Sequence, residues 1–304
     1  MCIVSILHFL SNFNLWFKEK YMKKSFFLFI LLLCAIHVRA QVYPEGGKST
    51  LVTAVNSFRF SRVRLLDTYL SPLYYKGLGI TYENDRRRFF SPENDRLSMQ
   101  SRVTLKAAVT FNPSRNSTIS CLAANYAWGM HYHLRPARNL QLLIGGIADM
   151  DIGGKFLGRN VNRPANLDFA TGLHLSFLLQ YKIPAPKRDL ILQVSFIIPV
   201  MGFMFVPEMG ASYYEILSLG NFKNSGHFTS FHNRYGISQT YTIDIPFRKS
   251  VWRFGFSSQY LKYGANHLIF KRRDVGILIG WKRDLAAFSG RKSLPPANFI
   301  KSDL

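Results

Sequence analysis

Apolar and polar residues alternate with period two along much of this chain, and the alternation runs for long stretches. The cleanest stretch is Leu97 to Phe111. Leu97, Met99, Val103, Leu105, Ala107, Val109 and Phe111 share one face, broken only by Ser101. Ser98, Gln100, Arg102, Thr104, Lys106 and Thr110 occupy the other. A period of two places successive side chains on opposite faces of a β-strand. Leu167, Phe169, Leu173, Leu175, Phe177, Leu179 and Tyr181 alternate in the same way with Asp168, His174, Ser176, Gln180 and Lys182. Trp252, Phe254, Phe256 and Tyr260 alternate with Arg253, Ser257 and Gln259, and Val275, Ile277, Ile279 and Trp281 with Asp274 and Lys282.

Ten strands are predicted, at roughly 50–60, 76–85, 97–111, 118–132, 138–150, 167–182, 189–201, 227–247, 250–263 and 267–284. Most reach the about 9–11 residues that a transmembrane strand needs, beyond the usual soluble length of about 5–6. The fold class expected is all-β: an antiparallel, up-and-down transmembrane barrel of about 10 strands, polar face to the lumen and apolar face to lipid. Twelve strands result if 202–226 and the long eighth segment each conceal one more. The alternative is a soluble β-sandwich with an aromatic core, whose strands seldom alternate over so long a run.

The three longest predicted connections, 61–75, 151–166 and 202–226, all follow odd-numbered strands and so share one end. Short turns near Arg135-Pro136, Ala185-Pro186-Lys187 and Arg248-Lys249 share the other. Such asymmetry is expected of short periplasmic turns opposite longer external loops. Tyr126, Trp128, Tyr181, Trp252, Tyr260 and Trp281 are placed toward strand ends, as an interfacial girdle requires.

The N-terminus changes the picture. Lys23 and Lys24 follow Met22, Ser25–Val38 is apolar apart from His37, and Ala40 precedes Gln41. This reads as a signal peptide beginning at Met22 and cut after Ala40, with residues 1–21 superfluous. The apolar run falls short of the about 20 residues of a spanning helix. Domain organisation is therefore a leader over 1–40, a barrel over 41–284 and a basic tail over 285–304. The formal charge is +22, with 39 Lys plus Arg against 17 Asp plus Glu. Hydrophobic residues make up 48% and aromatics 15%, too apolar a composition for a typical nucleic-acid binder, and none is expected as a partner. Of three cysteines only Cys121 lies beyond the leader, so no internal disulfide forms.

Two segments carry a resemblance. Asp67-Thr68-Tyr69-Leu70-Ser71-Pro72-Leu73 is one, with Tyr75 and Gly77. Ala211-Ser212-Tyr213-Tyr214-Glu215-Ile216, after Pro207 and Gly210, is the other. Together with the leader and strand spacing they resemble a family of exported, uncharacterised proteins of Gram-negative bacteria, regarded as outer-membrane barrels. The likeness spans most of 50–284. It implies outer-membrane localisation, insertion by the barrel-assembly machinery, and contact with outer-membrane lipid and lipopolysaccharide; it implies no catalytic residue. The basic tail departs from the aromatic closing strand with which many barrels end.

Motifs for catalysis or cofactors are weak. Gly46-Gly47-Lys48-Ser49-Thr50 lacks the glycine of a phosphate loop at position 42, which is Val. His131 and His133 share a face without nearby carboxylates or cysteines to complete a metal site. Asn116-Ser117-Thr118 reads as a turn. Ser176 and His174 share the lumen side with Asp168 farther along it, while Ser195 and Asp244 lie on other strands; only their availability suggests a hydrolase. No cofactor, metal or catalytic residue is expected. Candidate lumen or loop residues are Asp67, Tyr69, Arg102, Lys106, Tyr213, Tyr214, Glu215 and Arg253, with Asp67 and Glu215 pairing interior arginines. Arg86, Arg87 and Arg88 read as a short connection. The functional expectation is a non-enzymatic scaffold, receptor or narrow anion-preferring pore. The alternatives are an outer-membrane enzyme acting on lipid or envelope material and a soluble periplasmic β-sandwich binding protein.

Overall fold

The computed structural model describes residues 49–91, 94–159, 164–186, 188–210, 213, 216, 224–247, 250–285 and 299–300. The expected leader and most of the tail lie outside the described residues. So do Tyr214 and Glu215. Eleven strands form one sheet: β1 Val52–Asp67, β2 Ser71–Phe89, β3 Leu97–Phe111, β4 Thr118–Ala137, β5 Leu140–Leu157, β6 Ala165–Ile183, β7 Leu190–Phe205, β8 Gly226–Ser230, β9 Arg234–Phe247, β10 Ser250–Ala265 and β11 Leu268–Leu285. Each pairs antiparallel with its sequence neighbour except β8 and β9, which both lie on β7. β11 pairs with β1, which closes the sheet into a barrel of ten strand positions. The eighth predicted strand is therefore one position in two pieces, broken at 231–233.

The barrel is inside-out relative to a soluble protein. Phe60, Leu78, Ile80, Leu122, Phe203 and Ile277 point outward and are exposed, while Ser57, Arg59, Gln100, His131, Gln180 and Asp244 are buried within. Every polar residue expected on the lumen face of Leu97–Phe111 points inward. An outward apolar belt offsets its own exposure only in lipid.

Several strands run beyond the apolar alternation. β1 continues to Asp67 and β2 begins at Ser71, so most of the loop expected over 61–75 is sheet and only a three-residue turn remains. Likewise β5 extends to Leu157, which shortens the expected 151–166 connection. The stretch 206–225 remains the long connection on that end. Arg86, Arg87 and Arg88 lie in β2, not in a turn; Arg87 is buried inside, and the connection follows over 90–96. Tyr126 and Trp128 fall in mid-strand, whereas Trp252 and Trp281 sit opposite one another near the end that holds the start of β1. The end where β1 finishes and β2 begins is called the far end below, and the opposite one the near end.

Inside the far end is an apolar layer. Val63, Leu65, Tyr75, Ile119, Cys121, Leu157, Met204 and Phe270 from the strands meet Tyr69, Leu70 and Val206 from the connections. Cys121 is buried and free, a packed residue of this layer.

Candidate functional site

Immediately below the layer, Lys155 Nζ lies 2.5 Å from Asp67 Oδ2 and 2.9 Å from Asp168 Oδ1, with its ammonium 4.1 Å above the Phe270 ring. Asn166 Nδ2 donates to Asp67 Oδ2 at 2.8 Å, and the Tyr69 amide donates to Asp67 Oδ1 at 3.1 Å. Tyr213, from the long connection, donates its hydroxyl to Asn166 Oδ1 and accepts from the Leu167 amide, both at 2.7 Å. Its ring meets Tyr69 edge-on, 5.8 Å between centroids. Burial pushes the Tyr213 phenol above its ordinary pKa, so it stays a donor. Of the expected site residues, Asp67, Tyr69 and Tyr213 are thus brought together. The partner of Asp67 is Lys155 and not an arginine, because Lys155 occupies an inward position of the strand that bridges to β6.

A chamber of about 240 Å³ lies beneath, lined by Arg59, Glu83, Arg102, Lys106, Asp149, Asp151, His174, Arg234, Arg272 and Asp274 among others. One water needs about 10–15 Å³ of such space. Small inward residues make the room: Ala123, Ala127, Gly153 and Ala170 stand where larger side chains would fill it. Gly172 leaves space for the His174 Nε2–Asp149 Oδ1 contact at 2.8 Å. A Cβ there would come within 2.8 Å of that nitrogen and 3.0 Å of that oxygen.

The charges divide into closely and loosely paired sets. Arg272 Nη2 meets Asp274 at 2.9 Å, His174 meets Asp149, and Lys155 meets Asp168. The remaining cations are Arg59, Arg102, Lys106 and Arg234. Arg102 lies 4.0 Å from Glu83 and Arg234 3.9 Å from Asp151, while Arg59 donates through Nη1 to Ser257 Oγ at 2.8 Å. Lys106 is within electrostatic reach of Asp151 and Asp274. Among the described residues, the Nε donors of Arg59, Arg102 and Arg234 find no hydrogen-bond acceptor. Buried donors of this kind stabilise an acceptor brought to them. The lining as a whole sets five Lys or Arg (Arg59, Arg102, Lys106, Arg234 and Arg272) against five Asp or Glu (Glu83, Asp149, Asp151, Asp168 and Asp274).

Toward the near end the lumen narrows to a space of about 50 Å³ among Gln100, His131, Ser176 and Arg253. Arg253 donates through Nε to Asp244 Oδ1 at 2.6 Å and through Nη2 to Gln193 at 3.1 Å, so it stands apart from Arg102 and Lys106. His133 Nε2 contacts Ser98 Oγ at 2.7 Å, and Gln141 Nε2 contacts His133 Nδ1 at 2.5 Å. Ser176 Oγ lies 3.0 Å from His131 Nε2, reached across Gly145, whose register position separates the two. Ser176 and His174, expected to share the lumen side, both point inward from β6, but His174 turns to Asp149. No carboxylate among the described residues reaches His131 Nδ1. No group of three His, Cys, Asp or Glu among the described residues is placed to hold a metal ion.

Lys155, Asn166, Asp149, Arg59 and Arg234 were not among the residues that the sequence singled out. Inward parity within an unbroken strand is the signal that marks them, and it is visible for Lys155 only once β5 is carried through to Leu157.

Among solved structures, the chain is similar to the outer membrane protease OmpT from Escherichia coli, at 8% identity over 77% of this chain and 97% of that one, TM-score 0.47. It is also similar to the transport unit of the autotransporter AIDA-I from Escherichia coli, at 9% identity over 84% and 96%, TM-score 0.40. A third likeness is the Pseudomonas putida (P. putida) toluene transporter TodX, at 6% identity over 81% and 92%, TM-score 0.25. No curated protein matches. Over residues 26–292 the sequence matches the family described as protein of unknown function (DUF3316), and the chain belongs to that family.

Proposed function

We propose that this protein is an exported outer-membrane barrel that captures a small anion in its chamber and conducts no steady current. The observation that carries the reading is the set of three buried guanidinium Nε donors, on Arg59, Arg102 and Arg234, left without an acceptor around a chamber lidded by an apolar layer. The outward apolar belt supports the membrane address, and the segment Met22–Ala40 supports export. A continuous pore is not favoured, because the Lys155–Asp67–Asp168 cluster and the apolar layer fill the far end while Arg253, Gln141 and Gln180 narrow the near end. Catalysis is not favoured either: the Ser176–His131 contact has no orienting acid.

The test uses the full barrel, purified in detergent. Calorimetric titration with inorganic phosphate in chloride-free buffer is expected to show saturable one-to-one binding, weakened about tenfold or more in Lys106→Gln. Planar-bilayer recordings are expected to show no stable unit conductance. Undiminished binding in the variant, or a stable anion-selective channel, would overturn the reading.

A further inference from the structure

The outer wall carries a second positive feature, unrelated to the chamber. Outward positions on β3, β4, β5, β6, β7 and β9 hold no Lys or Arg. On the four contiguous strands β10, β11, β1 and β2, six basic residues project outward toward the far end: Lys262, Lys271, Arg273, Arg62, Arg64 and Lys76. The register sets like charges directly opposite: Arg64 faces Lys76 on one side and Arg273 on the other, and Lys262 faces Lys271. Like charges in cross-strand pairs destabilise a sheet. No acid occupies an outward position on these four strands to offset them.

The geometry around these residues is that of an amphiphile site. Arg62, Arg64, Lys76 and Arg273 line a shallow depression of about 380 Å³, floored by Val63, Gly77, Leu78 and Val275. Below it toward mid-barrel lie exposed Phe60, Ile80, Ile277 and Phe256. The Arg64 guanidinium stacks 4.3 Å above the Tyr74 ring, and Lys262 lies 5.3 Å from the Tyr235 ring. Aromatic residues of this kind mark the level where lipid meets water.

We propose that this face binds the phosphate headgroup of a membrane lipid, the basic residues clasping phosphate oxygens while the acyl chains lie on the apolar belt beneath. Guanidinium groups match phosphate with paired donors, and the surrounding low dielectric strengthens each contact. The chemistry is that of an anionic phospholipid or phosphorylated glycolipid in the leaflet at the far end. It neutralises a one-sided band that the protein itself leaves uncompensated. The proposal rests on the bilayer address given above but not on the chamber or on its anion.

The experiment is native mass spectrometry of the full barrel, released from vesicles of phosphatidylcholine containing one-fifth phosphatidic acid. Wild-type protein is expected to retain phosphatidic acid over phosphatidylcholine. The Arg64→Gln/Arg273→Gln double variant is expected to lose about thirtyfold in that retention, since each cation near an anionic surface contributes about tenfold or somewhat less. Arg86→Gln, exposed at the opposite end, is expected to match wild type. Heat-shifted gel migration verifies folding, and Lys76→Gln/Arg62→Gln replaces the first pair should it not fold. Equal retention of both lipids by wild type, or equal phosphatidic acid retention in wild type and the basic-face variants, would overturn the proposal. Failure to insert into vesicles at all would overturn the bilayer address instead.

Discussion

Replacing Lys155 by methionine is the sharpest probe of how the lumen is held together. The ammonium is 3% exposed and bridges Asp67, itself 4% exposed, to Asp168 at 32%. Removing one partner of a buried pair costs about 3–5 kcal/mol, because the other charge stays behind without compensation. Asp67 would keep only Asn166 and the Tyr69 amide. Asp168 would keep the Tyr263 hydroxyl, 3.1 Å away, and as a partly exposed group it adds little once solvent screening is counted. The expected loss for Lys155→Met is therefore about 3–4 kcal/mol, nearly all of it from Asp67. Adding Asp67→Asn removes the stranded charge, so the double variant is expected to recover about 2 kcal/mol relative to the sum of the singles. Urea unfolding of the full barrel in lipid vesicles, followed by tryptophan fluorescence, measures all four members of the cycle. A loss below about 1 kcal/mol for Lys155→Met, or strict additivity in the double variant, refutes a structural ion cluster here.

Three further outcomes are expected. Gly172→Ala should push His174 off Asp149 and cost about 1–3 kcal/mol in the same unfolding assay, as overpacking does; an unchanged midpoint would show that the pair is not confined. Tyr213→Phe should free the long connection from Asn166 and Leu167, and limited proteolysis should then cleave 206–225 faster with the barrel itself intact. At the near end, the Arg135 hydrogen bond holds the Asp95 carboxyl below the ordinary range. A depressed folded pKa means that the contribution is present above the unfolded value of about 3.9 and fades as pH falls through the folded one. Both side chains are half exposed, so Arg135→Gln should cost under about 0.5 kcal/mol at neutral pH, and the two proteins should converge in acid. Divergence that grows on acidification would contradict this sign.

The architecture was legible where the wall touches lipid and illegible where it leaves it. Between Leu97 and Phe111 one face must be apolar and the other lines a lumen, so period two is written plainly. Along 61–67 and 71–77 the outward residues include Arg62, Arg64 and Lys76, and the hydropathy signal weakens although the ladder of backbone hydrogen bonds continues. Strands of 16–20 residues such as β1, β2 and β4 are longer than a lipid-facing band demands, and their excess length looked like loop. The interior pairs were hidden for another reason. Asp67 on β1 meets Lys155 on β5 and Asn166 on β6 across the lumen, and His131 reaches Ser176 only because Gly145 between them has no side chain. Spacing along one strand, which placed Ser176 and His174 on one face, cannot reveal contacts between strands. Outward like charges on four adjacent strands likewise become one patch only when β11 is known to close on β1.

The broken eighth position has a consequence for where water goes. β7 pairs with β8 at Met201–Phe205 and with β9 at Ile191–Ile197, leaving Ile198–Val200 without a ladder partner on that edge. Arg234–Ile237 of β9 are paired to β10 but not to β7. Peptide groups facing hydrocarbon unpaired cost several kcal/mol each, so a wall with such a seam needs hydration from some source. Pro199, which brings no amide hydrogen, and Arg234 both line the chamber as well as the seam. Chamber and seam thus share Pro199 and Arg234, so the unpaired stretch of the wall borders a polar space. Filling the chamber with apolar bulk would dry out the wall, and hydrogen exchange at Ile198 and Val200 would report that drying as slowed exchange.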